Sequence, residues 1–200
     1  MYEINFRPLT TNDIAEISQI HHQELPNDFL SILGADFLQN HFYPSYFSTK
    51  LTFGYGAFMK DKLVGYVLFS NDRKALARVI KNSVLTLCSY CLKHIYKLSF
   101  LKYLIEVIII TLVKPSNDME NNNYELVYIA ISKDFANNKI GSRLVSIGLN
   151  HLKTLEEKAT WVKTLSNTQK NIEFYLKSGY QVYNEYLGRT YLACELTSDV

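Results

Sequence analysis

The chain carries no complete set of metal ligands. Its five histidines, His21, His22, His41, His94 and His151, include no H-E-x-x-H. Its three cysteines, Cys88, Cys91 and Cys194, form one C-x-x-C with no second pair, so neither a zinc site nor an even disulfide framework follows. They read as core or interface thiols in a reducing compartment. There is no G-x-S-x-G nucleophile turn and no Walker-type glycine loop. No window of about 20 apolar residues is free of charge, which argues against a membrane-spanning helix. The first residues, MYEINFRPLT, contain an early acid and no apolar signal-peptide core, so a cytoplasmic location is expected. An excess of one charge is missing as well. Twenty-one Lys and Arg face 19 Asp and Glu, a net charge of +2, so the whole chain is not an electrostatic nucleic-acid binder.

What is present is a folded α/β pattern. An apolar fraction of 48% with 20% charged residues describes a globular chain, and 200 residues suit one domain or one domain with an insertion. Ile4 and Phe6 mark a short first strand that stops at Pro8. The run Thr10-Thr11-Asn12-Asp13 offers helix caps, with Ile14, Ile17 and Ile20 as the apolar face behind them. Residues 25–47 are rich in aromatics, and Phe29, Ile32, Leu33, Phe37 and Leu38 repeat at helical spacing around a break at Gly34. Two apolar runs, 53–59 and 63–69, joined by Lys60-Asp61-Lys62, read as a β-hairpin, with Gly65 allowing close backbone approach.

Residues 71–123 read as helical with a basic bias, from Arg73, Lys74, Arg78, Lys81, Lys93, Lys97 and Lys102. A second apolar stretch, 103–113, is interrupted by Glu106, and 114–123 form an exposed linker. Such helices suit packing on the body, on a partner or on a membrane surface. The unbroken apolar run 126–131 is expected to be a strand buried on both faces. A polar loop follows, then an amphipathic helix through Ile140, Leu144, Ile147 and Leu152. A strand, a tight loop and a helix N-terminus together can hold a phosphate, and Gly141 in the first turn lets a ligand come close. Residues 159–165 read as a strand containing the only Trp. Asn167-Thr168 then caps a helix that ends at Gly179, and a closing β-pair follows.

The window Ala136-Asn137-Asn138-Lys139-Ile140-Gly141, the hairpin element Val64-Gly65-Tyr66-Val67 and the segment Phe174-Tyr175-Leu176-Lys177-Ser178-Gly179-Tyr180 resemble motifs of the GNAT superfamily of acyl-CoA-dependent N-acyltransferases. The match in residues 25–38, L-P-x-x-F-L-x-x-L-G-x-x-F-L, together with the basic helical insertion, resembles a bacterial subset of that family. The resemblance implies an α/β fold with a mixed central sheet of about six to seven strands flanked by helices. Residues 1–200 would form a single domain in which 71–123 are a helical insertion and linker. It implies transfer of acetyl from acetyl-CoA to a primary amine of a small molecule or amino sugar, with no metal.

By the same resemblance, Tyr175 would protonate the leaving thiolate and Glu125 would act as general base. The backbone of Ile129, Ala130 and Ile131 would pair with the acyl arm. Asn137, Asn138, Lys139, Ile140, Gly141, Ser142 and Thr168 would bind the rest of the cofactor, and Phe29 and Leu33 would wall the acceptor pocket. Asn137-Asn138 are expected to form a nest of N–H groups, since Asn tolerates left-handed backbone. Lys133, Lys139 and Arg143 add positive charge where Ala136 stands in place of the usual Arg or Gln. Two other functions stay open: a catalytically weak acyl-CoA-binding module, and a membrane-surface or partner-binding protein acting through the insertion. A homodimer is allowed; nucleic acid is not expected as a partner.

Overall fold

The computed structural model describes residues 3–72, 74–94, 123–136 and 138–196. Arg73, Asn137 and residues 95–122, which include the apolar stretch 103–113 and most of the linker, lie outside the described residues. In chain order the elements are β1 (Ile4–Pro8), a 3-10 turn, α1 (Ile14–Glu24), α2 (Phe29–Ile32), α3 (Ala35–Phe37), a π-turn (Leu38–Phe42) and α4 (Tyr43–Phe47). Next come β2 (Thr52–Met59), β3 (Lys62–Ser70), α5 (Ala75–Asn82), α6 (Val84–His94) and β4 (Tyr124–Ile131). The chain closes with α7 (Ile140–Thr154), β5 (Ala159–Leu165), α8 (Gln169–Lys177), β6 (Gln181–Tyr186) and β7 (Arg189–Glu195). Two compact units result. One holds Met1–Leu9, Leu51–Asn71 and Ser116–Val200; the other holds Thr10–Lys50 and Asp72–Pro115.

The first unit is built on a seven-stranded mixed sheet in the order β1-β2-β3-β4-β5-β7-β6. Every pairing is antiparallel except β4 with β5. The hairpin expected across Lys60-Asp61-Lys62 turns on two residues, since Lys62 already pairs with Met59: Lys60 and Asp61 have positive φ, 47° and 64°, which matches the twist of the flanking strands. Helices α7 and α8 pack on one face, where Val67, Phe69, Leu126, Leu144, Ile172 and Leu192 share a core. Gly148 makes that packing close, since a Cβ there would lie 2.2 Å from Phe69 Cε2. Gly65 does the same within the sheet, where a Cβ would meet Ile131 Cδ1 at 2.5 Å. α8 ends in a Schellman turn at Gly179 (φ 93°): Tyr180 N donates to Tyr175 O and Gly179 N to Leu176 O, both at 3.1 Å.

The strand 126–131 is not buried on both faces. Tyr124, Leu126 and Ala130 are buried, whereas Glu125, Val127, Tyr128, Ile129 and Ile131 are half-buried. A bulge lies behind this pattern. β3 pairs Leu68 with Tyr128 and Phe69 with Leu126, so Val127 has no partner and the in–out alternation reverses there. After the reversal Ile129 and Ile131 pack against the same core as Leu126.

In the second unit Asp13 reaches back across the 3-10 turn Thr11–Asp13 that leads into α1, its carboxylate accepting from Thr10 N at 2.7 Å and Thr10 Oγ1 at 3.0 Å. Ile14, Ile17 and Ile20 are buried, and Gly34 breaks the following helix at φ 92°. Leu33, Phe37, Leu38, Phe42 and Tyr43 fill this core. His21 is not a surface or pocket histidine: it is fully buried, with Nδ1 2.6 Å from Tyr43 Oη and Nε2 3.2 Å from Asp28 Oδ2. Its helix position put it on the apolar face, and two polar neighbours satisfy its nitrogens. α5 is tied to α4 through Asp72. The Asp72 carboxylate pairs with Arg78 and accepts from Thr49 Oγ1 at 3.0 Å and Lys74 N at 3.0 Å, while Arg78 Nη2 donates to Ser45 O at 2.9 Å. Arg78 beside it holds the Asp72 carboxyl below the usual carboxylate range, against the opposing effect of burial.

Candidate active site

The two parallel strands of the sheet barely pair. β4 meets β5 only at Tyr124↔Thr160 and Glu125↔Trp161. At that point Thr160 Oγ1 donates to Tyr124 O at 2.8 Å, while β5 goes on pairing with β7 from Ala159↔Glu195 to Leu165↔Arg189. From Val127 to Ile131 the β4 edge on that side carries no ladder with β5. A sheet edge left open inside a folded domain is a template for an extended ligand backbone. Ile129, Ala130 and Ile131, singled out from the sequence, lie on this edge.

Just beyond β4, the loop through the 3-10 turn Lys133–Phe135 delivers the chain to α7. The first intrahelical bond runs from Arg143 N to Lys139 O at 3.0 Å, so the amides of Ile140, Gly141 and Ser142 precede it and point out of the helix start. Of the pair Asn137-Asn138, expected to form a nest, Asn137 lies outside the described residues. The left-handed residue is Lys139 (φ 58°, ψ 11°), and Asn138 does not have positive φ. The position occupied by Lys139 is thus a glycine-type position, since a side chain in that conformation costs about 1–2 kcal/mol. A Cβ at Gly141 would make ordinary contacts with the protein, 3.4 Å from Phe174 Cε2 and 3.8 Å from Ile129 Cδ1. Phe174 therefore fills the angle between α8, the α7 start and β4, a role that sequence reasoning missed. Arg143 lies with its guanidinium 4.4 Å from the Phe6 ring centroid.

Tyr175 lies on α8, buried in the same core, with its ring 5.3 Å from Phe174 and 5.9 Å from Tyr180. Burial pushes its pKa well above the ordinary phenol value. No hydrogen bond holds its hydroxyl among the described residues. Thr168 stands at the α8 N-cap, half-buried, its Oγ1 donating to Asn167 Oδ1 at 3.3 Å. Glu125 sits where the β4–β5 ladder ends. Its carboxylate pairs with Lys163 at 2.9 Å, a partner that the sequence did not suggest because Lys163 lies on a different strand. Burial disfavours the Lys163 charge, yet Glu125 outweighs this and the net effect raises the lysine's pKa. Phe29 and Leu33 belong to the second unit, the former half-buried and the latter 1% exposed. Among the described residues, no group of three His, Cys, Asp or Glu could hold a metal, and no helix is long and apolar enough to cross a membrane.

The comparisons agree with this geometry. The model of the acetyltransferase (GNAT) family matches residues 14–180. Among solved structures, the PaiA N-acetyltransferase from Thermoplasma acidophilum in complex with coenzyme A is similar over 96% of this chain and 99% of that chain, with a TM-score of 0.60 and 13% identity. A GNAT-family acetyltransferase from Streptococcus pneumoniae covers 98% and 100%, with a TM-score of 0.59 and 16% identity. The ribosomal-protein-S18-alanine N-acetyltransferase from Escherichia coli covers 99% and 97%, with a TM-score of 0.58 and 9% identity. At such identities these likenesses establish the fold. No protein of curated function has a sequence similar enough to match. With its fold, its open β4 edge and a family model matching most of its length, the chain belongs to the acetyltransferase (GNAT) family.

Proposed function

We propose that the protein, acting as a single catalytic domain, transfers an acetyl group from acetyl-CoA to the primary amine of a small molecule, amino sugars among them, by direct attack. The observation that carries this is the β4–β5 ladder that stops after two pairs beside the free amides of the α7 start. An extended acyl arm would pair with the backbone of Ile129 to Ile131. Its phosphates would meet the amides of Ile140, Gly141 and Ser142, with Lys139, Asn138 and Asn137 in the preceding loop and Thr168 at the start of α8. The Thermoplasma acidophilum structure of the same fold was solved with coenzyme A, which supports this acyl carrier.

In the reaction the amine nitrogen bonds to the thioester carbonyl carbon and the carbon–sulfur bond breaks. Tyr175 supplies a proton, or a full hydrogen bond, to the departing sulfur. Glu125, steadied by Lys163, takes the amine proton directly or through one water. Calorimetric titration with acetyl-CoA, followed by thiol release over a panel of amines, tests the proposal. Saturable binding with turnover on at least one amine is expected. Absence of binding at millimolar acetyl-CoA would remove it, and binding with no turnover would favour an acyl-CoA-binding module.

One observation favours a second reading for the insertion. At the α5–α6 corner Ile80, Val84 and Leu85 are exposed, Leu85 by 84%, next to the exposed Lys81, with Lys74 exposed at the other end of α5. Apolar side chains flanked by lysines suit the surface of an anionic bilayer. Sedimentation with anionic vesicles, reduced by high salt and by Leu85→Glu, is the outcome expected of that contact. Equal sedimentation with neutral vesicles would exclude it.

A further inference from the structure

The face of the sheet opposite α7 and α8 carries a row of side chains that the acetyl-transfer chemistry leaves mostly unused. Trp161, Tyr191 and Ala193 form a separate apolar cluster there, and Tyr183 packs against it. The Trp161 and Tyr191 rings are stacked, 6.4 Å apart at 21°. Lys163, two residues along β5 from Trp161, is on the same face, with Nζ 5.3 Å from the indole. Glu125 reaches Lys163 from β4, opposite Trp161 in the ladder.

Arg189 completes the row. Lys163 is opposite Tyr191 and Leu165 opposite Arg189, so Lys163 and Arg189 are diagonal neighbours on one face, about 7–8 Å apart at their backbones. Three charges thus meet where β4 and β5 part. Glu125 and Lys163 neutralise one another. Arg189 is left over: half-buried, with no hydrogen bond or ion pair among the described residues. A second unmet donor lies on the same face at the far side of Lys163, where the Trp161 indole N–H is buried without a partner. A guanidinium in partial burial gains most from a planar anion that accepts two parallel hydrogen bonds.

From this we infer that the face lined by Glu125, Trp161, Lys163, Tyr191 and Arg189 is the acceptor subsite, and that the acceptor is an amine bearing a carboxylate or phosphate. Glu125 draws the amine end to the place where the strands separate. Arg189 holds the acid end, and the body between them passes over the half-exposed Lys163, which the buried Trp161–Tyr191 pair backs. The inference rests on the acetyl-transfer reading for its choice of an amine, but the anion contact does not depend on it.

Trp161 is the only tryptophan in the chain, so its emission reports on this face. The test titrates matched pairs, 4-aminobutyrate against 4-aminobutanamide and glucosamine 6-phosphate against glucosamine, while following Trp161 fluorescence. The acidic member of at least one pair should act at about tenfold or lower concentration than its neutral partner, the scale of one charge-assisted contact. Which pair discriminates identifies carboxylate or phosphate as the anion. Arg189→Gln should abolish the difference, and Arg189→Lys should keep part of it. Acidic and neutral members that behave alike, or a difference that survives Arg189→Gln, would overturn the subsite. If the discrimination is seen yet calorimetry shows no acetyl-CoA binding, the acetyl-transfer reading falls and the anion subsite stands.

Discussion

Tyr175 is the residue on which the proposed chemistry most depends. Because burial raises its pKa, the hydroxyl keeps its proton throughout the physiological range, as a donor to the departing thiolate must. Substituting Tyr175→Phe removes the donor and little volume, so turnover should fall by roughly 100-fold, the low end for a general acid, with acetyl-CoA affinity nearly unchanged. The direction of the shift gives a pH prediction too. Loss of rate through ionisation of this phenol should not set in below pH of about 10. Equal turnover by the variant, or a Tyr175-dependent alkaline limb near neutrality, would remove it from the mechanism. Lys139 poses a different question at the same scale. Its left-handed backbone is strained, so Lys139→Gly should stabilise the fold by about 0.5–1 kcal/mol, the relieved strain less the added freedom of the unfolded chain. Urea unfolding measures this, and a midpoint that drops would mean that the loop does not adopt that turn.

Among the elements, α7 and β4 do most to shape the site, and two glycines with similar sequence settings have opposite jobs. Gly148 lets α7 lie against Phe69, and no ring movement is available because Phe69 is fully buried. Gly148→Ala should therefore cost about 1–3 kcal/mol through overpacking, despite the higher helix propensity of alanine. Gly141→Ala meets only ordinary contacts with Phe174 and Ile129, so its stability should stay within about 1 kcal/mol of the parent. Thermal unfolding of both variants separates the cases, and equal losses would contradict the packing of α7. For β4, the bulge at Val127 matters more than any side chain. It reverses the in–out alternation while pairing with β3 resumes at Tyr128, and the opposite edge is left open where the β5 ladder stops.

At the scale of the whole chain, the acid stability should reflect the Asp72–Arg78 pair that ties α5 to α4. The folded-state pKa of Asp72 is lowered, chiefly by its hydrogen bond from Arg78, so the stabilisation is present above the unfolded value near 3.8 and is lost as pH falls through the lower folded value. Asp72→Asn should destabilise the protein by about 1–3 kcal/mol at pH 7, and the gap from the parent should close as the pH is taken below about 4. Unfolding by urea at pH 7 and pH 3 checks this, and an undiminished gap at pH 3 would argue that the carboxylate charge is not what matters.

Local chemistry was legible in the residues. The hairpin at Lys60-Asp61, the strand 159–165 with its tryptophan, and the helix stop at Gly179 all depend on nearest neighbours, and all three appear where the sequence put them. The family motif at Phe174-Tyr175 likewise marked α8. Contacts between residues far apart in the chain were not legible. Lys163 gave no sign of its pairing with Glu125, nor His21 of its burial between Tyr43 and Asp28, because such partners are chosen by strand order and helix packing. The apolar run of β4 was read as doubly buried since periodicity records only how greasy a strand is. Whether a neighbour pairs with it is decided by the backbone, through the bulge at Val127 and the two-pair ladder to β5, and that choice creates the opening on which the proposed function rests.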